Sequence, residues 1–324
     1  MNAAQKLAAY GAGLVVAFAG AYGIAGAVVP DSVVAGWERG STSSHAGSEH
    51  QAGSSATAAD TAAPAAAAIK GVSLSADGYT LGPVTAPGVP NVAGSVDFTV
   101  LDRQGEPVRE FDVAHEKRLH LIAVRADGAH YQHLHPALDT GSGRWSVPVT
   151  WPEPGSYRVY ADFTPAGAKG STTLTRTVQV DGASAAQRRE VSRTAQVDGF
   201  TATLSGDLVS GGSSDLTVTI TRNGAPVTGL EPYLGAYGHL VALREGDLAY
   251  LHVHATGEDP RPGATSGPDI GFAAEVPTAG RYLLYLDFQV DGVVRTAQYV
   301  VDAGQGRNEQ GGNAGAAPSH GSGH

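Results

Sequence analysis

One internal repeat constrains the fold of this chain more than any other feature of its sequence. The segment His-Leu-Ile-Ala-Val-Arg at 120–125 returns 119 residues later as His-Leu-Val-Ala-Leu-Arg at 239–244. The same offset, without a gap, relates the Tyr-x-His-x-His motif at 131–135 to the one at 250–254. Two copies of one unit in a single chain predict two domains with the same fold.

The two copies, which we place at 70–182 and 192–303, have the pattern of β-domains. Each reads as about seven short strands between Gly and Pro turns, which is typical of Greek-key sandwiches of the immunoglobulin type. On one late strand, alternation puts Tyr157 and Phe163 on the apolar face and Asp162 on the other. We therefore predict an all-β fold with two tandem immunoglobulin-like β-sandwich domains.

A hydrophobic segment precedes the β-domains. Residues 7–29 carry no charge, and their length of 23 residues exceeds the roughly 20 that a spanning helix needs. Lys6 lies before this segment and acidic residues follow it, which predicts a cytoplasmic N-terminus. We expect residues 1–30 to form a transmembrane helix that anchors an extracytoplasmic body at the cell membrane. The alternative is a signal segment, cleaved near Ala25-Gly26-Ala27, which would leave a secreted protein.

Composition limits the remaining segments and the partners. Residues 31–69 and 304–324 are rich in Ala, Gly and Ser, which predicts a flexible linker and a disordered tail. The net charge is −10 and there is no long basic run, so a nucleic-acid partner is not expected. The chain has no cysteine, which excludes disulfides and thiolate metal sites. Its twelve histidines are therefore the candidate metal-binding side chains.

Three histidines of the first domain have a spacing suited to a metal ion. Asp127-Gly128, flanked by strand residues, predicts a hairpin with a two-residue type I′ turn. That turn places His120 directly opposite His135, with His133 diagonal to His120. All three side chains then share one face, with opposed Cβ atoms roughly 4.5–5.5 Å apart and diagonal ones about 7–8 Å apart. The three imidazoles can therefore converge on one ion.

The second domain predicts the same geometry from a different turn. Its hairpin loop is Gly246-Asp247, and this loop places His239 opposite His254, with His252 diagonal. One histidine register behind two different turns favours a metal site in each domain. Two further histidines at 115 and 130 have Leu and Ala at the matching positions of the second domain, so we interpret them as incidental.

Two aspartates are the candidate oxygen ligands. Asp162 and Asp287 lie on the non-core face of matching late strands, and they could either bind the ion or orient an imidazole from behind. The predicted metal-site residues are therefore His120, His133, His135 and Asp162 in the first domain, and His239, His252, His254 and Asp287 in the second.

The ligand set indicates which metal to expect. Imidazole suits zinc and copper(II), and three histidines with one oxygen ligand or water form an ordinary coordination set. We therefore predict a copper or zinc ion as the cofactor. Two alternatives remain open. The histidines could only pack or decorate the surface, or they could respond to pH, because clustered imidazoles titrate near neutrality.

The same motifs carry a family resemblance. Tyr-Gln-His-Leu-His-Pro at 131–136, with the Gly-x-Tyr and Asp-Phe pairs of the strand at 155–163, resembles a group of actinobacterial membrane-anchored extracytoplasmic proteins. That group is associated with heavy-metal and copper handling. The second domain departs from the motif, since Leu251 replaces the Gln and Ala255 replaces the Pro. The resemblance implies a copper- or heavy-metal-binding role.

These observations predict an extracytoplasmic metal-binding protein that buffers or delivers copper(II) or zinc at the cell surface. A membrane metal transporter is the candidate protein partner. The alternative function is a structural or adhesion ectodomain with no metal role. We do not expect an enzyme, because the sequence has no nucleophile elbow, phosphate-binding loop or Ser/His/Asp arrangement.

Overall fold

The computed structural model describes residues 69–251, 253–261 and 263–306. Within these ranges the regular elements are all strands, and no described helix could cross a membrane. The predicted membrane segment at 1–30, most of the linker at 31–69, most of the tail at 304–324 and His252 lie outside the described residues.

The first domain consists of ten strands. They are β1 (Ser75–Ala76), β2 (Tyr79–Leu81), β3 (Gly94–Leu101), β4 (Phe111–Asp112), β5 (Leu119–Arg125), β6 (Gln132–Leu134), β7 (Ala137–Asp139), β8 (Arg144–Val149), β9 (Gly155–Pro165) and β10 (Thr172–Val180). One sheet has the order β1-β2-β3-β8-β7, and the other has the order β10-β9-β5-β6, with β4 paired to β9.

The described residues of the second domain also form ten strands. They are β11 (Thr194–Val197), β12 (Phe200–Ser205), β13 (Gly212–Arg222), β14 (Ala225–Pro226), β15 (His239–Arg244), β16 (Tyr250–Leu251), β17 (Val253–Thr256), β18 (Asp269–Val276), β19 (Gly280–Val290) and β20 (Val293–Ala303). Its sheets have the orders β11-β12-β13-β18-β17 and β16-β15-β19-β20. The repeat in sequence is thus a repeat in topology, and the predicted tandem immunoglobulin-like sandwiches are confirmed.

Each sandwich has its own apolar core, and the predicted alternation of the late strand holds. Tyr157 and Phe163 are buried in the core of the first domain. The hydroxyl of Tyr157 donates to the Glu153 carbonyl at 2.9 Å, and Tyr282 makes the matching bond to the Thr278 carbonyl at 2.7 Å. This tyrosine corner is a feature of immunoglobulin-like sandwiches.

The hairpin that carries the first-domain histidines has the predicted register but a different turn. Ile122 pairs with His133, which is the register in which His120 lies opposite His135, as predicted. The turn is not type I′, because Gly128 is the loop residue with a positive φ, at 80°, and its amide donates to the Arg125 carbonyl. That arrangement is a type I turn followed by a glycine bulge. An extra residue around His130, whose φ is 55°, then returns the strand to the predicted register.

A third apolar cluster lies between the two domains and joins them into one compact unit. Two matching hydrogen bonds flank it: the hydroxyl of Tyr160 donates to the Leu248 carbonyl at 2.6 Å, and that of Tyr285 donates to the Gly128 carbonyl at 2.6 Å. Each tyrosine therefore contacts the hairpin loop of the other domain. The buried members of the cluster are Ile122, Val124, Tyr160, Val241, Leu243, Leu248, Leu283, Tyr285 and Val300.

Candidate metal centre at the domain interface

The three predicted histidines of the first domain meet in the structure. One ring nitrogen from each of His120, His133 and His135 lies within 4.8 Å of the other two. His120 Nδ1 is 3.0 Å from His133 Nε2. Two ligands of one ion lie roughly 2.9–3.3 Å apart when each metal–nitrogen distance is ~2.0–2.1 Å. A distance of 3.0 Å therefore suits two ligands of one ion, and it equally suits a hydrogen bond between the two rings.

The second nitrogen of each ring indicates where its proton lies. His120 Nε2 is 3.1 Å from the Ala114 carbonyl oxygen, which can only accept, so Nε2 carries the proton. His133 Nδ1 is 2.8 Å from Asp287 Oδ2 and donates to that carboxylate. In their neutral forms the two rings then present lone pairs to each other across the 3.0 Å gap. Facing lone pairs repel unless a proton or a metal cation lies between them.

His135 brings a third nitrogen to the same place. Its Nε2 atom is buried and has no hydrogen-bond partner among the described residues. Burial, helped by the neighbouring His133, lowers the pKa of His135 to about 4 and that of His120 to about 3. Both rings are therefore neutral at pH 7, which is the form that binds a metal.

Asp287 supports the triad from the second domain. It is only 2% exposed, and its Oδ1 accepts a hydrogen bond from the Thr296 hydroxyl at 2.6 Å while Oδ2 accepts one from His133. A carboxylate behind a histidine fixes the orientation of the ring and makes its free nitrogen a better ligand. This contact matches the orienting alternative predicted for Asp287, but the ring that it orients belongs to the first domain and not, as predicted, to the second.

Asp162 occupies the matching position in the first domain. It is the cross-strand neighbour of His120, and its Oδ1 accepts a hydrogen bond from the Thr173 hydroxyl at 2.7 Å. Burial raises the pKa of Asp162, while the Thr173 hydrogen bond opposes this rise. Asp162 thus lies beside the triad, where it lines a cleft.

The second domain does not repeat the triad among its described residues. The hairpin has the predicted register, with Ala242 opposite Leu251, but the chain then crosses to the other sheet. His254 lies opposite Ala273 of β18, so the predicted pairing of His254 with His239 across the hairpin is wrong. No feature of the sequence indicates this crossing, because the spacing of the motif matches that of the first domain up to its last histidine.

His239 lies instead near the histidines of the first domain. Its ring centroid is 6.3 Å from that of His133, and its Nε2 donates to the carbonyls of Tyr233 and Leu234, at 3.0 Å each. Burial lowers the pKa of His239 to about 4. His115, interpreted from the sequence as incidental, has its ring 5.2 Å from that of His239. The repeat could not identify His115, because its counterpart is a leucine.

A cleft of 440 Å³ lies beside the triad. Its lining includes His120 and His133 from the first domain and His239 from the second. An ion held by the triad would therefore have space for a fourth ligand, as a site with three protein ligands requires.

Solved structures with detectable similarity are distant. Domains 4–9 of the surface layer protein SbsC are 11% identical, with a TM-score of 0.20, covering 70% of this chain and 31% of that one. The D0-D1 domain of intimin is 14% identical, with a TM-score of 0.21 and coverages of 70% and 97%. Invasin, a bacterial integrin-binding protein, is 15% identical, with a TM-score of 0.20 and coverages of 69% and 39%. TM-scores this low do not indicate a shared function.

No curated protein matches the chain, and none of these comparisons tests the resemblance to metal-handling proteins, which stays a prediction. A family model described as a domain of unknown function, DUF8832, matches residues 74–182 and 195–305. Because these two matches cover more than half of the sequence, with one match in each sandwich, the chain belongs to the DUF8832 family and carries two tandem copies of its domain.

Proposed function

We propose that this protein binds a copper(II) or zinc ion through His120, His133 and His135. The observation that carries the proposal is the convergence of three ring nitrogens within 4.8 Å of one another. Two of them have their protons on the opposite side of the ring, and His135 Nε2 is buried with no hydrogen-bond partner among the described residues. The facing nitrogens of His120 and His133 thus offer two lone pairs and no donor, which suits a cation.

The chemistry of the ligands favours these two metals. Neutral imidazoles bind zinc and copper(II) well, whereas hard cations such as magnesium and calcium prefer oxygen ligands. The contact between Asp287 and His133 supplies the outer support that metal-bound histidines usually have. Since Asp287 belongs to the second domain, the proposed centre depends on both copies of the repeat.

At the cellular level, we propose that the protein buffers or delivers this metal on the outer face of the cell membrane. The uncharged segment at 7–29 supports an anchored or secreted location. The resemblance of the motif at 131–136 to copper-associated proteins supports the metal. A membrane metal transporter remains the proposed partner, and no enzymatic step is part of the proposal.

Isothermal titration of the full-length chain with copper(II) and zinc(II) tests metal binding. His135→Ala should abolish one tight site. His130→Ala is the matched control, because its ring contacts Glu153 at 3.0 Å and is not part of the triad. Histidines of the linker and tail are the same in both variants, so their weak binding cancels. Equal binding by the two variants and the parent chain would refute the proposal.

A structural or adhesion role without metal is the second candidate. The apolar cluster between the domains and the hydrogen bonds of Tyr160 and Tyr285 favour it, since they fix one sandwich against the other. In that case a proton, and not a metal ion, lies between the facing nitrogens of His120 and His133. The titration separates the two candidates, because the structural role predicts no site that depends on His135.

A further inference from the structure

The lysines of this chain are concentrated at one place. The sequence has four lysines, and three of them, Lys70, Lys117 and Lys169, line the cleft beside the triad. They come from three separate segments: the start of the first domain, the loop before β5 and the loop after β9. Arg118 lines the same cleft. Every lysine within the described residues therefore lies on this one cleft.

None of these four cationic side chains forms an ion pair with a described residue, and only Lys70 lies close enough to the Asp162 carboxylate to lower its pKa. Among the described residues, the ion pairs involve other arginines and two histidines, and none involves these four. Asp162 is the one carboxylate among the residues that line the cleft. In a chain with a net charge of −10, this cleft is a local region of positive charge.

The fold itself does not require these cations. The offset of 119 residues that relates the two domains puts Ala236 and Tyr237 at the positions of Lys117 and Arg118. The second domain thus builds the same loop and strand without positive charge. The cations are a property of the first domain at its cleft, and they call for a functional explanation.

We propose that this cleft binds a phosphoryl anion, either inorganic phosphate or the phosphate group of a monoester. The lysine ammonium is a compact point charge that commonly binds phosphate in proteins. The volume of 440 Å³ is enough for a phosphate with a small organic group. This site does not depend on the metal. When an ion occupies the triad, the anion can also supply its fourth ligand, and that part rests on the proposed metal binding.

Equilibrium dialysis of the metal-free, full-length chain against radiolabelled phosphate, at constant ionic strength, tests the proposal. The variant Lys117→Gln/Arg118→Gln removes two charges from the cleft. The matched control, Arg103→Gln/Arg188→Gln, removes two charges from exposed arginines outside it. The cleft variant should bind phosphate at least about tenfold more weakly, because each positive charge near the anion strengthens its binding severalfold even in water. The control should bind like the parent chain.

Two further arms complete the test. The charge-conserving variant Lys117→Arg/Arg118→Lys should retain binding, because the anion is recognised by charge. Competition with glycerol phosphate shows whether the site accepts a monoester or only free phosphate. Zinc titration of the cleft variant without phosphate should show binding at least as tight as that of the parent chain, because the variant removes positive charge beside the triad. A failure of metal binding is thus distinguishable from a failure of anion binding. Equal phosphate affinity in the cleft variant and the control, or no binding at millimolar phosphate, would overturn the proposal.

Discussion

Replacing Asp287 by Asn should weaken metal binding in the other domain. The carboxylate of Asp287 accepts a hydrogen bond from His133 at 2.8 Å and is nearly inaccessible to solvent. Asparagine keeps the shape of the side chain but removes its charge. The charge favours the form of His133 that has its proton on Nδ1 and its lone pair on Nε2, which is the form that binds an ion.

The magnitude can be bounded from the geometry. An ion on Nε2 would lie roughly 7 Å from the carboxylate, where a dication and a unit charge interact by at most about 5 kcal/mol at an effective dielectric constant of about 20. Substitution of such outer groups commonly costs about 10- to 100-fold in metal affinity, which is about 1.4–2.7 kcal/mol. We therefore expect Asp287→Asn to raise the zinc dissociation constant about 10- to 100-fold.

Competition with a chromophoric zinc chelator measures this change directly. Asp215→Asn is the matched control, because it removes one carboxylate charge from an exposed position of β13, outside the triad and its cleft. It should change the dissociation constant by less than about threefold. The reasoning fails if the two variants lose affinity equally, or if Asp287→Asn binds zinc as tightly as the parent chain.

Two further predictions concern stability without metal. Tyr160→Phe and Tyr285→Phe each remove one buried hydrogen bond between the domains. Each variant should therefore lower the free energy of unfolding, measured in urea, by about 1 kcal/mol. An unchanged free energy of unfolding in both variants would argue against the interface. The buried histidines make stability depend on pH, because the pKa of His120 is about 3 and those of His135 and His239 are about 4, against 6.5 in the unfolded chain. As the pH falls below about 6.5, these three imidazoles take up protons in the unfolded chain but not in the folded chain. The free energy of unfolding should therefore decrease progressively from about pH 6.5 towards pH 4. Urea titrations across this range should show the loss, with a shallower slope for His120→Ala, and a flat profile in the parent chain would contradict it.

The fold and the first-domain triad followed from local pattern. The repeat and the alternation of Tyr157 and Phe163 determine which faces are buried, and burial of one face fixes strand register. The register that places His133 opposite Ile122 is observed even though the turn between the strands has a different type. The glycine bulge at Gly128 shifts the strand pairing by one residue, and the extra residue around His130 shifts it back. The predicted pairing is therefore correct although the predicted turn type is not.

The remainder of the site depends on contacts between domains, which a pattern within one domain cannot contain. Nothing in the spacing of Asp287 indicates that its carboxylate reaches His133, 154 residues away in sequence. The same holds for His115, whose ring meets that of His239 only because the two sandwiches pack together. The crossing of His254 to the other sheet was hidden because both domains share the same histidine motif.

One ion should bind where the three imidazoles meet. Anomalous diffraction at the zinc edge, from crystals of the zinc-loaded protein, measures its position. We expect a peak at ~2.0–2.1 Å from one nitrogen of each of His120, His133 and His135, with Asp287 still bonded to His133. A zinc peak at other residues only, or no peak between the three rings at saturating zinc, would refute metal binding at the triad.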